Sequence, residues 1–308
     1  MTSESSQRVG IPSLLFAVVA ITLFISLLCM WFYPSVQDFM ARNTMWNGIK
    51  DFGDAYDANN IDTLGDLPTI PGKTTLVVIP YLEFSDEELL NLKRFVDDGG
   101  TLLLMDDYGY GNDVLAYLGT NIRFSNKPLL DPLFCYRNQW IPRITDFAPE
   151  VKESGINVIL LNHATALTNL EEMQVIAWSS EASFLDMDED EVWSQEEPKG
   201  PFPVAGKIRY GKGELAIVSD PSIIISSMIG RDDNYRFIEY LTHYDDEQKE
   251  ILVDSSHLSD TPLDVSKTRL TSTREWLSNP YALVGITALI FVTVSRYTLK
   301  KGETIGQN

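Results

Sequence analysis

The stretch from Thr74 to Asp107 constrains the fold of this chain more than any other. Its opening run, TTLVVIP, is β-branched and aliphatic and ends at Pro80, the pattern of a strand buried on both faces. Ser85 then offers a helix N-cap, and Glu87 and Glu88 an acidic first turn. Leu89, Leu90, Leu92, Phe95 and Val96 follow at helical spacing until Gly99-Gly100 stops the helix. Thr101 to Met105, TLLLM, is a second buried strand with Asp106 and Asp107 at its carboxyl end. Strand, helix and strand within about 34 residues form a βαβ crossover, whose two strands lie parallel in one sheet. The expected fold class is α/β with a mainly parallel sheet.

Two uncharged apolar stretches flank this domain. Ser13 to Tyr33 is mostly Leu, Ile, Val, Phe and Ala, and at about 1.5 Å per residue it spans a bilayer core. Its acidic, serine-rich start and the bulky Trp31-Phe32-Tyr33 exit fit an uncleaved anchor better than a cleaved signal peptide. Tyr281 to Ser295 is the second stretch, with Trp276 before it and Arg296, Lys300 and Lys301 after it. The expected layout is a cytoplasmic N-terminus (1–12), a transmembrane helix (13–33), an α/β domain (41–250), a juxtamembrane linker (251–278), a second transmembrane helix (279–297) and a cytoplasmic tail (298–308). The basic tail suggests a cytoplasmic side for both termini and an extracytoplasmic domain. Lys267, Arg269 and Arg274 before the second span leave the opposite orientation open.

The formal charge of −20 falls almost wholly between the spans. Such a surface repels phosphate, so nucleic acid is not expected as a partner. Cys29 lies in the first span and Cys135 in the domain, so they cannot pair with each other.

Beyond the crossover, Phe134, Tyr136, Trp140 and Phe147 crowd an irregular, proline-containing excursion from Ser125 to Ala148. Ile156 to Leu161 reads as a strand, and Val204 to Tyr210 with Glu214 to Ser219 as a hairpin. Asp188 to Lys199 reads as an acidic, mobile loop. Asp220-Pro221-Ser222 opens a helix through Met228, Asp232 to Tyr244 is amphipathic, and Ile251 to Val253 is a last short strand.

Three constellations invite chemistry. Gly109-Tyr110-Gly111 between strand and helix suggests a dinucleotide fingerprint, but Val114 stands where its third glycine belongs, and a capped glycine turn is the alternative. Asp186, Asp188, Asp190 and Glu197 match the ligand spacing of a calcium loop. Glu191 occupies the place that needs glycine, so a solvated acidic loop competes with a metal site. Asp106, Asp107 and Asp220 stand at the carboxyl ends of strands, where α/β proteins bind ligands; they suit metal binding or acid–base work, and equally helix capping. Trp140 could wall the same edge with an aromatic face. His163 lacks a nucleophile placed to use it, and Cys135 lacks the small neighbours of a nucleophile turn.

The segments VVIPYLEFSDEELLNLKRFVDDGGTLLLMDD, GYGNDVLAYLG and GKGELAIVSDPSIIISSMIGRDDNYRFIEYL resemble an uncharacterised prokaryotic family of membrane-anchored proteins with a class I glutamine amidotransferase-like domain. The resemblance covers about Asn43 to Leu241. It implies a flavodoxin-like three-layer sandwich tethered to the membrane, and partners among AAA-type ATPases, von Willebrand-like domain proteins or ABC transporters. No position here matches the amidotransferase Cys, His and Glu triad, so no catalytic residue and no cofactor are implied. The expected function is therefore a non-enzymatic, membrane-anchored binding or assembly module. The alternative is a carboxylate- or metal-dependent hydrolase of a cell-envelope substrate.

Overall fold

A computed structural model describes residues 11–171, 173–244, 250–289 and 291–292. The chain divides into two compact units, residues 34–259, and residues 1–33 with 260–308. We number the strands of the main sheet β1 (Asn59–Ile61), β2 (Thr74–Val78), β3 (Thr101–Met105), β4 (Asp146–Phe147), β5 (Gln174–Trp178), β6 (Pro203–Tyr210), β7 (Gly213–Val218) and β8 (Glu250–Asp254). The helices are α1 (Ile11–Phe32), α2 (Lys50–Tyr56), α3 (Asp86–Asp97), α4 (Gly111–Tyr117), α5 (Pro149–Glu153), α6 (Asn234–Thr242) and α7 (Pro262–Ser278).

The eight strands form one sheet in the order β1-β8-β2-β3-β7-β6-β5-β4. From β1 to β7 every pairing is parallel, and β6, β5 and β4 extend the sheet antiparallel. The crossover read from Thr74 to Asp107 is present: β2 pairs in parallel with β3, Leu76 opposite Leu102. Ser85 caps α3 in a full capping box, its hydroxyl accepting from the Glu88 amide at 3.3 Å and Glu88 Oε2 from the Ser85 amide at 2.8 Å.

Strand periodicity explains the layering. Leu76 and Val78, Leu102 and Leu104, and Leu215 and Ile217 face α3 and α4, while Val77, Leu103, Met105, Ala216 and Val218 face α2 and α6. Because both faces are covered, the central stretches 76–78, 102–105 and 215–218 carry apolar residues at every position. The architecture is a mixed α/β fold of three layers around a large, mainly parallel sheet.

The structure adds to the sequence reading in one place and departs from it in two. The last short strand expected near Ile251 is present as β8, and it inserts between β1 and β2, a place that only long-range pairing could decide. The domain accordingly extends to Ser259, so the linker expected from residue 251 starts later. Asp220 opens a brief 3₁₀ turn, Pro221–Ile224, in place of a helix to Met228.

In the other unit, α1 is long and apolar enough to cross a bilayer, its 22 residues reaching about 33 Å at the helical rise. Pro280–Leu289 is a shorter apolar helix, and the remainder of the second expected span, residues 290 and 293–297, lies outside the described residues. Only one span-length helix is therefore present among the described residues. The expected linker is instead largely helical in α7, because Thr261 caps the Asp264 amide, Pro262 sits at the first position, and no further proline or glycine intervenes before Pro280.

Candidate functional site at the carboxyl ends of the strands

The register of the sheet places the aspartates. Met105 pairs with Val218 at the end of the ladder, so Asp106 and Asp107 leave β3 beside Ser219 and Asp220 leaving β7, and the Asp106 amide donates to the Val218 carbonyl at 3.2 Å. Alternation sends Asp106 to the α3/α4 face and the Asp107–Asp220 pair to the other. The three aspartates predicted from sequence are thus brought to one sheet edge, but all three are buried, Asp106 and Asp220 completely and Asp107 to 7% exposure.

Asp106 accepts the Gly109 amide through Oδ1 and the Gly111 amide through Oδ2, both at 2.8 Å. Burial pushes its carboxyl up to about 7, against the pull of those two amides. A Cβ on Gly111 would come 2.6 Å from Asp106 Oδ2, and one on Gly109 would come 2.4 Å from the Pro80 carbonyl. The glycine pair is there to let backbone wrap an internal carboxylate. The anion nest that a nucleotide phosphate would use is filled by the protein's own side chain.

Asp220 is used in the same way. Its Oδ1 accepts the Ser222 amide at 2.7 Å and its Oδ2 the Asn162 amide at 2.6 Å. Complete burial pushes it up to about 8, and the neighbouring Asp107 charge adds to the rise. Asp107 differs. One oxygen takes the Tyr108 amide at 2.7 Å, and the Tyr81 hydroxyl reaches both oxygens at 3.2 and 3.3 Å, so acceptor capacity remains. Burial raises Asp107, opposed by Tyr108, Tyr81 and the charge of His163.

His163 and Trp140 complete this edge. Their rings stack 4.5 Å apart, and the His163 amide donates to the Trp140 carbonyl at 2.9 Å. His163 holds a left-handed backbone, φ 61°, that few side chains adopt. Partial burial lowers its affinity for a proton, while Asp107 and Glu191 raise it. Tyr108 stands exposed beside them, its hydroxyl 3.4 Å from the Ala164 carbonyl. The surface of the site is therefore Tyr108, Trp140 and His163, with Asp107 almost buried beside them and Asp106 and Asp220 as fully buried supports.

The calcium-like loop is ordered by its own backbone. Asp186 is buried and accepts the Asp190 and Glu191 amides at 3.1 and 3.0 Å. Glu197 is buried and accepts the Met187 and Ser194 amides at 2.7 and 2.9 Å. Glu191 takes the left-handed turn, φ 63°, without being glycine. Asp186, Asp188 and Asp190 each present an oxygen within 4.8 Å of the others, but both oxygens of Asp186, like both of Glu197, already accept loop amides. What reads as a mobile loop from composition is strapped at both ends.

Sequence reasoning missed one cluster on the same edge. Asp254, at the end of β8, lies 2.6 Å from His257 Nδ1, and the buried His257 ring stacks 3.7 Å from Phe84 and lies 3.7 Å from Glu88 Oε1. The His257 carbonyl accepts the Tyr81 amide, tying this cluster to the site. An aspartate closing a buried strand, followed three residues on by histidine, was the available signal. Ser219 Oγ, opposite Asp106 in the sheet, is the buried side-chain oxygen without a hydrogen-bond partner among the described residues.

No curated protein is significantly similar in sequence to this chain. Among solved structures it is similar to the N-terminal domain of mmIFT52, at 15% identity over 55% of this chain and 73% of that one, with a TM-score of 0.41. The cytoplasmic protein STM1381 from Salmonella typhimurium LT2 aligns at 16% identity over 62% of this chain and 76% of that one, TM-score 0.37. A β-galactosidase from Bacillus circulans sp. alkalophilus aligns at 13% identity over 53% of this chain and 23% of that one, TM-score 0.32. Similarities this distant carry no argument about function. The profile of one family, by contrast, matches residues 41–242, from the start of the domain through α6, and the chain therefore belongs to the family of the domain of unknown function DUF4350.

Proposed function

We propose that this protein is a membrane-anchored, non-enzymatic recognition module that binds a protein partner at the carboxyl edge of its parallel sheet. The observation that carries the reading is the consumption of Asp106 and Asp220: all four of their oxygens accept backbone amides. What the edge offers to solvent is Tyr108, Trp140 and His163, around an almost buried Asp107 carboxylate that keeps spare acceptor capacity, a composition suited to holding a surface. The anchor rests on α1 and on the second apolar stretch from Pro280, with the domain outside the cytoplasm. Membrane partners such as AAA-type ATPases, von Willebrand-like domain proteins or ABC transporters remain within this proposal, as does kinship with the amidotransferase-like sandwiches.

A hydrolase is the second reading, favoured by one observation. Asp107 and Asp220 are near enough for the charge of Asp107 to raise Asp220, and both have raised proton affinities, as paired acid and base groups can. Photo-crosslinking separates the two. A benzophenone amino acid at Tyr108 or Trp140 of the full chain, in its native membrane, is expected to give protein adducts that Asp107→Asn abolishes, with none from the same probe at Lys212. Turnover of envelope-polymer fragments by the purified chain, lost in Asp107→Asn, would establish the hydrolase instead.

A further inference from the structure

The loop 186–197 displays apolar side chains that a folded protein ordinarily buries. Val192 is 64% exposed and Trp193 44%, and across the neighbouring excursion Leu133 is 75% and Phe134 53% exposed. Exposed clusters of this kind mark interaction sites. The two segments are joined: the Gln139 side-chain amide donates to the Glu191 carbonyl at 3.0 Å, and Lys127 pairs with Glu189 at 3.1 Å. Both border the strand-end site, since Glu191 acts on His163, and Glu189 and Asp186 act on Tyr108.

Looseness does not explain the exposure. Asp186 and Glu197 hold the loop through four backbone amides, and Glu189 and Glu191 are fixed in left-handed conformations, φ 64° and 63°. Such strain persists only where the surroundings over-determine it, and a surface ordered in advance loses less freedom on binding.

Charge selects the occupant. Residues 186–197 include seven acidic side chains and no basic one. Anionic lipid, nucleic acid, or the same face of a second copy would meet like charge, which disfavours an interface. Trp193 already receives a cation, the Lys199 ammonium 5.1 Å above its ring.

We propose that loop 186–197 with the Leu133–Phe134 turn is a docking surface for a basic amphipathic segment of a partner protein, in which Lys or Arg alternate with apolar side chains. This rests on the recognition reading above and names its partner class. Val192, Trp193 and Phe134 take the apolar residues, and Asp188, Asp190 and Glu196 the cations.

The test uses the full chain in zwitterionic lipid nanodiscs and a fluorescent synthetic peptide alternating lysine and leucine, with versions carrying glutamine or glutamate for lysine. Anisotropy is read at low and high salt. Binding of the lysine peptide is expected to exceed that of the glutamine peptide by about tenfold or more and to weaken with salt. Trp193→Ser combined with Phe134→Ser should weaken it by about tenfold, as loss of an aromatic anchor does, while Ile70→Ser, at a still more exposed apolar position elsewhere, should not. Equal binding of all three peptides overturns the inference, as does undiminished binding to the double variant, which would mark mere charge attraction. Sedimentation showing self-association that the double variant abolishes, without peptide binding, overturns it in favour of a second copy. If the peptides fail while adducts at Tyr108 and Trp140 persist, the docking inference falls and the recognition reading stands.

Discussion

The Asp220 carboxylate accepts the Asn162 amide at 2.6 Å across 58 residues of chain, and that bond fixes the loop from which His163 faces Asp107. Asp220 is thus a positioning residue. Asparagine can accept only one of its two amides through oxygen, and it turns an N–H group toward the other. Asp220→Asn is expected to cost about 1–3 kcal/mol, the range for a buried group left unsatisfied, measured by urea denaturation of the full chain in detergent. Crosslinking from Trp140 should fall in proportion to the loop's loss of order. An unchanged midpoint would show that the loop holds itself.

The Asp107 side chain is the clean probe of recognition. Tyr81→Phe removes the side-chain hydroxyl that reaches it and should cost about 1 kcal/mol, since both contacts are long. It should also raise the proton affinity of Asp107 further, because Tyr81 stabilises the ionised form. Partner adducts at Tyr108 are then expected to fade at a higher pH than in the parent as the sample is acidified.

Stability should fall on the alkaline side. Asp106 and Asp220 hold their protons to about 7 and about 8, whereas an unfolded aspartate loses its proton near 4. Between those limits the folded state binds more protons than the unfolded one, so raising the pH through this window favours unfolding. On the acid side the sign reverses. Burial resists ionisation of Glu214, yet His243 and Lys207 hold its carboxyl low, so stability is lost as pH drops through its folded value. Thermal melts should peak near the unfolded carboxylate value, at about pH 4. Asp220→Asn should flatten the alkaline slope, and a slope unchanged in that variant would place the titration elsewhere.

Gly111→Ala tests the filled nest. Its new methyl would press on Asp106 Oδ2 at 2.6 Å, and overpacking of this kind costs about 1–3 kcal/mol. A thermal midpoint equal to that of the parent would mean that the Asp106 turn is not tight.

His163→Gly and His163→Ala separate strain from recognition. Both remove the ring stacked on Trp140, but only glycine adopts φ 61° freely. The glycine variant should be the more stable by about 1 kcal/mol, with equal loss of crosslinking at Trp140. Unequal crosslinking would trace recognition to the loop backbone.

Labelling tests the anchor. With Cys29 and Cys135 replaced and a probe cysteine at the exposed Lys212, an impermeant maleimide should react on intact cells. Reaction only after permeabilisation would put the domain in the cytoplasm.

Local pattern determined much of this protein by itself. Thr74 to Asp107 specifies its crossover because buried parallel strands, a capping box and a glycine stop are each encoded in a few adjacent residues. Ser13 to Tyr33 specifies a span-length helix for the same reason, and Asp106, Asp107 and Asp220 were legible as strand-end residues. What those aspartates do was not. Whether a carboxylate meets water or two backbone amides depends on loops that approach from dozens of residues away, as Asn162 does to Asp220. The place of β8 between β1 and β2, the His257 cluster and the strapping of loop 186–197 by Asp186 and Glu197 likewise exist only once the chain has closed on itself. Spacing along a sequence sets which face a side chain takes, but its hydrogen-bond partners and its solvent are set by the tertiary structure.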